Sequence, residues 1–225
     1  MQERNKIALT KKQKDIILGT LLGDGYLNKR GTNIRLQLVH GPEQAEYIKF
    51  KYDNLKNICT ERGLKFETFN DKYSPTGKKH CWNFYTHKHE YLEFLYEKIY
   101  PNNKKQISEE ILEKLTPLSL AIWLCDDGSL QKRKGKIRKD GSQIYIGARF
   151  IICTYSKNIN IEKLICKKLK EIFNLNFSIQ KHYDNFRLSC TTQEFKKLVE
   201  IVNPYIIDSM KYKFDTSFLG KNITS

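Results

Sequence analysis

Two apolar runs that end in an acid followed by glycine constrain this chain more than any other feature. They are Ile16-Ile-Leu-Gly-Thr-Leu-Leu-Gly-Asp-Gly25 and Leu120-Ala-Ile-Trp-Leu-Cys-Asp-Asp-Gly128. Their Asp-Gly steps, Asp24-Gly25 and Asp127-Gly128, lie 103 residues apart in a chain of 225. A spacing close to half the length predicts two similar halves, 1–103 and 104–225. Each half then delivers one carboxylate to a shared place.

An acid at a helix C-terminus meets the negative end of the helix dipole and needs a cation to compensate it. Two such ends brought together would raise the pKa of one carboxyl or recruit a metal. Carboxylates, water and phosphate oxygens suit a hard divalent ion, Mg²⁺ above all. Taken singly, each motif is also an ordinary helix stop with a left-handed glycine cap. Two of them in matching halves favour the metal site. Gly19 and Gly23, and Ala121 and Cys125, give each motif helix a strip of small side chains through which the two helices are expected to pack.

Composition narrows the partners. The chain has 40 Lys and Arg against 25 Asp and Glu, a net charge of +15, and 12% aromatic residues. Such an excess points to a polyanion, nucleic acid before an anionic membrane, and the aromatic content argues against disorder. No run of about eighteen apolar residues offers a membrane span, so no membrane partner is expected. Met1-Gln-Glu-Arg-Asn-Lys6 has neither a signal-peptide apolar region nor an organelle-import character. An intracellular protein working where it is made is therefore expected: a mitochondrion or chloroplast if organelle-encoded, otherwise cytoplasm or nucleoid. Six cysteines without a Cys-x-x-Cys pair read as reduced thiols. Zinc on Cys81, His87 and His89 is disfavoured, because paired ligand spacing is missing.

Both halves read as helix, two strands, helix, two strands, helix. The first half gives a helix over 11–24, strands over 26–30 and 33–40, and a helix from Pro42 to about Arg62. Strands near 65–73 and 79–86 follow, then a helix over 89–100 and a connector at 101–105. In the second half Pro117 opens a helix to Asp126, and strands over 130–138 and 143–153 flank a basic tip. A helix over 158–173, a hairpin over 177–190 around Asp184-Asn185, and a helix over 192–202 complete it. Strand assignments rest on alternation, as in Ile34, Leu36 and Leu38 against Asn33, Arg35 and Gln37.

The two motifs resemble those of the LAGLIDADG homing endonucleases in their single-chain, two-motif form. Lys104-Lys-Gln-Ile107, Leu115-Thr-Pro-Leu-Ser-Leu-Ala-Ile-Trp123, Asp126-Asp-Gly128 and Met210-Lys-Tyr-Lys213 extend the resemblance over nearly the whole chain. The resemblance implies an α+β fold of two αββαββα halves related by a pseudo-twofold axis, with saddle-shaped antiparallel sheets on DNA. It also implies Mg²⁺-dependent hydrolysis of both strands across the minor groove, leaving short 3′ overhangs and promoting intron homing. On that basis Asp24 and Asp127 are the metal-binding, catalytic carboxylates. Gly23 and Asp126 occupy the preceding position, where a main-chain carbonyl helps coordination, and Asp126 either adds a ligand or faces solvent. Lys105 and Lys213 match the family's paired basic positions.

Those residue types suit the chemistry. Phosphodiester hydrolysis needs an activated water, in-line geometry and a sink for developing charge, which metals on carboxylates supply, and a nearby lysine orients the water and offsets charge. No nucleophile elbow, Walker loop or His-Glu-x-x-His motif competes. A two-stranded ribbon fits the DNA major groove. The face opposite the apolar one presents Asn28, Arg30, Asn33, Arg35 and Gln37 in the first half, and Gln143, Tyr145, Arg149, Gln180, His182, Arg187 and Ser189 in the second. Lys132, Arg133 and Lys134, in the densest basic run, are expected on phosphates. The expectation is a monomer on double-stranded DNA. Host intron RNA, for a maturase, and non-cleaving DNA binding are the alternatives. Lysine-, isoleucine- and asparagine-rich composition suits AT-rich genes of organelles, phages or bacteria.

Overall fold

The computed structural model describes residues 7–154 and 156–219; the N-terminal hexapeptide read above for targeting lies outside them. The chain divides into two compact units, Met1–Gln106 and Ile107–Ser225.

The first unit runs α1 (Lys11–Leu22), β1 (Tyr26–Arg30), β2 (Asn33–His40), α2 (Ala45–Leu55), β3 (Lys65–Asn70), β4 (Lys78–Tyr85) and α3 (Glu90–Ile99). The second adds a short α4 (Glu109–Leu112) and then repeats the plan. Its elements are α5 (Pro117–Asp127), β5 (Gly128–Ile137), β6 (Gln143–Ile152), α6 (Ile159–Phe173), β7 (Ser178–His182), β8 (Asn185–Cys190) and α7 (Thr192–Val202). Each unit holds one four-stranded antiparallel sheet, ordered β1-β2-β4-β3 and β5-β6-β8-β7. One face of each sheet carries the core. Leu27, Ile34, Leu36, Leu38 and Phe84 are buried in the first unit, and Ala148, Phe150, Ile152 and Leu188 in the second.

Both motif helices open on the same device. Thr10 and Thr116 form capping boxes with Gln13 and Ser119, which satisfies backbone N–H groups that the first turn leaves unpaired. Pro117 sits at the first helical position, where its missing N–H costs nothing. The helices end differently. Helix α1 stops at Leu22 instead of running to Asp24, because the chain turns at Gly23 and Gly25 N–H reaches back to the Thr20 carbonyl at 2.8 Å. Asp24 therefore stands outside the last turn, exposed, whereas Asp126 and Asp127 remain inside the last turn of α5, half-buried.

The glycines after the acids are not left-handed caps. Gly128 has φ −80° and ψ 144°, and Gly25 is likewise outside the positive-φ region. They are glycines because nothing larger fits. A Cβ on Gly25 would lie 2.4 Å from Thr20 Cγ2, and one on Gly128 would lie 2.3 Å from the Leu124 carbonyl oxygen and 2.5 Å from the Phe150 ring.

Other elements depart from expectation by local chemistry. The helix expected from Pro42 to Arg62 is a 3-10 turn at Pro42–Gln44, then α2, then a 3-10 turn at Lys56–Ile58. The Met210-Lys-Tyr-Lys213 segment lies in a 3-10 stretch, Asp208–Phe214. All six cysteines are free, and burial pushes the Cys59 and Cys190 thiols up to about 12, keeping them protonated. His89 spends both ring nitrogens on structure: Nδ1 accepts from Tyr91 N–H and Nε2 lies 2.8 Å from the Ile7 carbonyl oxygen. Among the described residues no helix is long and apolar enough to cross a membrane.

Candidate functional site

The cation that each motif helix needs at its C-terminal end is supplied by a lysine of the same unit. Lys105 Nζ donates to the Gly23 carbonyl at 2.8 Å, across 82 residues of chain. Lys213 Nζ donates to the Cys125 carbonyl at 2.5 Å and to the Asp126 carbonyl at 3.3 Å. Both ammonium groups thus meet the carbonyls that the last helical turn leaves without intrahelical partners, where the dipole favours positive charge. The carbonyls of Gly23 and Asp126, expected near a metal, are the ones the lysines hold. Each acid therefore stands within a residue or two of a carbonyl that carries a lysine ammonium.

The two acids differ in their immediate partners. Asp24 Oδ2 lies 3.8 Å from Nδ1 of buried His40, the last residue of β2. Asp127 Oδ2 accepts from the indole Nε1–H of Trp123 one helical turn earlier, at 3.0 Å. Asp127 also anchors the end of the hairpin, its carbonyl accepting from Cys153 N–H at 3.0 Å. His40 is absent from the set read from the sequence. It closes a strand on the apolar face, where a histidine looks like core.

The polar face of the first sheet assembles as the alternation requires. Residues directly opposite in an antiparallel pair project to one face. The pairs Tyr26–Gln37, Asn28–Arg35 and Arg30–Asn33 therefore share a face, which Gln37 extends to Tyr85 of β4. Polar contacts hold it in place. Gln37 Oε1 accepts from the Tyr26 hydroxyl and from Asn28 Nδ2, and Gln37 Nε2 donates to the Tyr85 hydroxyl at 3.1 Å. The Arg35 and Arg62 guanidinium carbons lie 5.3 and 5.0 Å from the Tyr85 ring centroid, in cation–π range. Arg62 is tied in turn to Glu67 and Asn83, and the hydrogen bond from Arg62 holds the Glu67 carboxyl below its usual pKa. Tyr26 and Tyr85 join this face by register and Arg62 by contact, whereas the sequence reading followed it only through β1 and β2.

In the second sheet Arg149, Ser189, Arg187, Gln180 and His182 share a face, joined by Gln131 and Asn185 through their cross-strand pairs. Two residues expected beside them, Tyr145 and Gln143, and Lys132, expected on phosphates, are placed elsewhere. The β5–β6 register shifts between Arg133 and Lys134, leaving Ile146 as an extra residue on β6. A bulge of this kind reverses the alternation. Tyr145 therefore pairs with Lys134 and follows Lys132 to the other side, where its ring packs edge-on to Phe218 at 5.5 Å. Lys132 donates to Asp215 at 2.9 Å and lies 4.4 Å from the Phe218 ring centroid. Ser217 and Lys132 hydrogen bonds hold the Asp215 carboxyl down to about 2. Gln143 directs its amide at the carbonyls of Gly135 and Ile144. Of the basic run, Arg133 keeps to the Gln131–Arg149 face.

The family model described as the LAGLIDADG DNA endonuclease family matches residues 14–198. A RecA protein of Mycolicibacterium chitae is 30% identical over 95% of this chain and 48% of the relative; the chain spans about half the length of that relative, and less of the RecA protein of Mycobacterium leprae, at 29%. The DNA endonuclease I-ChuI of Chlamydomonas applanata is 28% identical over 92% of this chain and 96% of that one. A cytochrome b mRNA maturase bI2 of Debaryomyces hansenii is 27% identical over 91% of this chain and 74% of the relative. Among solved structures, the homing endonuclease I-WcaI bound to its DNA recognition sequence superposes with a TM-score of 0.80 at 24% identity, covering 94% of this chain and 90% of that one. That likeness shows the fold, α+β with two four-stranded antiparallel sheets.

Proposed function

The chain belongs to the LAGLIDADG DNA endonuclease family, and on that premise we propose that it is a site-specific homing endonuclease. It hydrolyses both strands of a long asymmetric DNA target across the minor groove, with Mg²⁺, as a monomer. The observation that carries this reading is the repeated pairing, once per unit, of a motif acid with a lysine ammonium on the adjoining helix-end carbonyl. A purely DNA-binding protein has no use for that pairing twice.

The donor chemistry fits a hard divalent ion, since Asp24 and Asp127 offer carboxylate oxygens at the ends of α1 and α5. When bound, such an ion supplies Lewis acidity and a water of lowered pKa. The chain's own groups do the rest. Asp24 and Asp127 place negative oxygen beside the scissile phosphate of one strand each. Lys105 and Lys213, fixed by the carbonyls they hold, direct an ammonium at the attacked phosphate and offset its gathering charge. Two unlike halves need no palindrome.

Sequence is read by the polar sheet faces. Arg30, Arg35, Arg149 and Arg187 suit guanine edges, and Asn28, Asn33, Gln37 and Gln180 suit adenine. Lys132 belongs instead to the clasp on Asp215. Lys132→Met is expected to leave the salt dependence of DNA binding unchanged, whereas Arg133→Gln lowers its slope by about one unit. Affinity measured across a salt series checks both.

The similarity to a cytochrome b mRNA maturase favours a second reading, an intron-RNA splicing cofactor on the same scaffold. Splicing of the host intron with purified protein tests it. The endonuclease reading is tested on a duplex that rejoins the sequences flanking the gene. It requires double-strand cleavage at one place with Mg²⁺ and none with EDTA, and wild-type protein that binds this duplex without cutting it would refute it.

A further inference from the structure

The mechanism leaves a buried lysine–histidine pair under one of the two acids unused. Lys51 of α2 has no exposed surface, and its Nζ lies 3.3 Å from His40 Nε2 and 4.3 Å from the Tyr47 ring centroid. His40 is 4% exposed and packs on the same tyrosine, ring centroids 5.3 Å apart. On its other side His40 Nδ1 lies 2.7 Å from Gln44 Oε1 and 3.8 Å from Asp24 Oδ2.

Hydrogen-bond inventory fixes the imidazole tautomer. An ammonium offers three donors and no acceptor, so His40 Nε2 has to accept from Lys51. The ring proton then sits on Nδ1, which faces two oxygen acceptors, Gln44 Oε1 and the Asp24 carboxylate. At 3.8 Å the second lies beyond direct hydrogen-bond reach, at a distance one bridging water can span. Lys51 thus dictates which nitrogen of His40 is the donor, and that N–H bonds Gln44 Oε1 at 2.7 Å with the exposed Asp24 carboxylate as a more distant acceptor at 3.8 Å.

The second half does this differently. Strand β6 ends in Ile152, which has no donor, and Asp127 takes its ring N–H from Trp123 within α5 at 3.0 Å. We propose that His40 is the positioning residue of Asp24, set by Lys51 as an Nδ1–H donor, and that it acts on one half of the enzyme only. The proposal rests on the endonuclease reading for its consequence but not for its geometry. Its consequence is that loss of His40 slows the cutting of one DNA strand.

Two measurements test it. Long-range ¹H–¹⁵N spectra of histidine-labelled protein report tautomers directly, with His40 assigned by its absence in His40→Asn. The expected result is the Nδ1–H form, with an Nδ1 resonance that moves in Asp24→Asn and not in Asp127→Asn; an Nε2–H tautomer overturns the proposal whether or not the protein cuts DNA. The second measurement is strand-resolved nicking of supercoiled target DNA. It uses Lys51→Met as background, so that no ammonium is stranded when the imidazole is removed. His40→Leu in that background is expected to slow one strand about tenfold and leave the other within about twofold, so that singly nicked DNA accumulates. His40→Asn, whose amide can replace the Nδ1 donor, is expected to recover most of the loss. Equal slowing of both strands, or of neither, overturns the proposal. A wild-type protein that cuts neither strand defeats the endonuclease reading instead, and the spectra then decide the role of His40.

Discussion

Asp24→Asn or Asp127→Asn is expected to abolish double-strand cleavage, by at least about a thousandfold, while DNA affinity stays within a few fold. The substitution keeps shape and removes only the negative charge. In the first half the amide introduced at position 24 is still exposed beyond α1, and Gly25 behind it still packs on Thr20. In the second half the amide carbonyl oxygen introduced at position 127 still accepts the Trp123 indole N–H that Asp127 now receives at 3.0 Å. Neither change disturbs the polar sheet faces, so binding survives. Gel-shift affinity and plasmid linearisation, measured on the same preparations, separate the two effects. Normal cutting of both strands by either variant with Mg²⁺ removes that acid from the mechanism.

Lys105→Met and Lys213→Met are each expected to lower the cleavage rate about a hundredfold, again with little change in affinity. Each lysine holds a carbonyl beside a motif acid, Gly23 for Lys105 and Cys125 with Asp126 for Lys213. Methionine keeps the aliphatic stem and deletes the charge. The freed carbonyls turn to water at small cost, because the helices are held by the burial of Ile16, Ile17 and Leu21 and of Leu120, Trp123 and Leu124. Lys213 is the more enclosed of the two, so its loss is the more severe. Single-turnover rates at saturating Mg²⁺ check the size and the order. An unchanged rate in both variants makes the lysines structural caps.

What was legible in the sequence was what depends on local periodicity. The alternation of Asn33 to His40 specifies which face of β2 is core, and the capped helices around the two motifs follow from Thr10, Thr116 and Pro117. What was not legible depends on register or on distant partners. A single extra residue at Ile146 sends Tyr145 to the side opposite Arg149, and no composition signal marks it. Lys132 resembles its basic neighbours until the chain returns 83 residues later with Asp215. His40 sits at an apolar-face position, and its proximity to Asp24 arises only when β2 closes beside the end of α1. The glycines were legible as necessary but for the wrong reason: close approach to Thr20 and Leu124, and not backbone conformation, excludes a side chain.

The most direct measurement is a crystal structure of the wild-type protein on its target DNA with Mn²⁺ in place of Mg²⁺, read by anomalous scattering. Anomalous peaks about 2.1 Å from carboxylate oxygens of both Asp24 and Asp127, each beside a scissile phosphate, are the predicted result. A protein–DNA complex whose Mn²⁺ peaks avoid both acids would contradict the account.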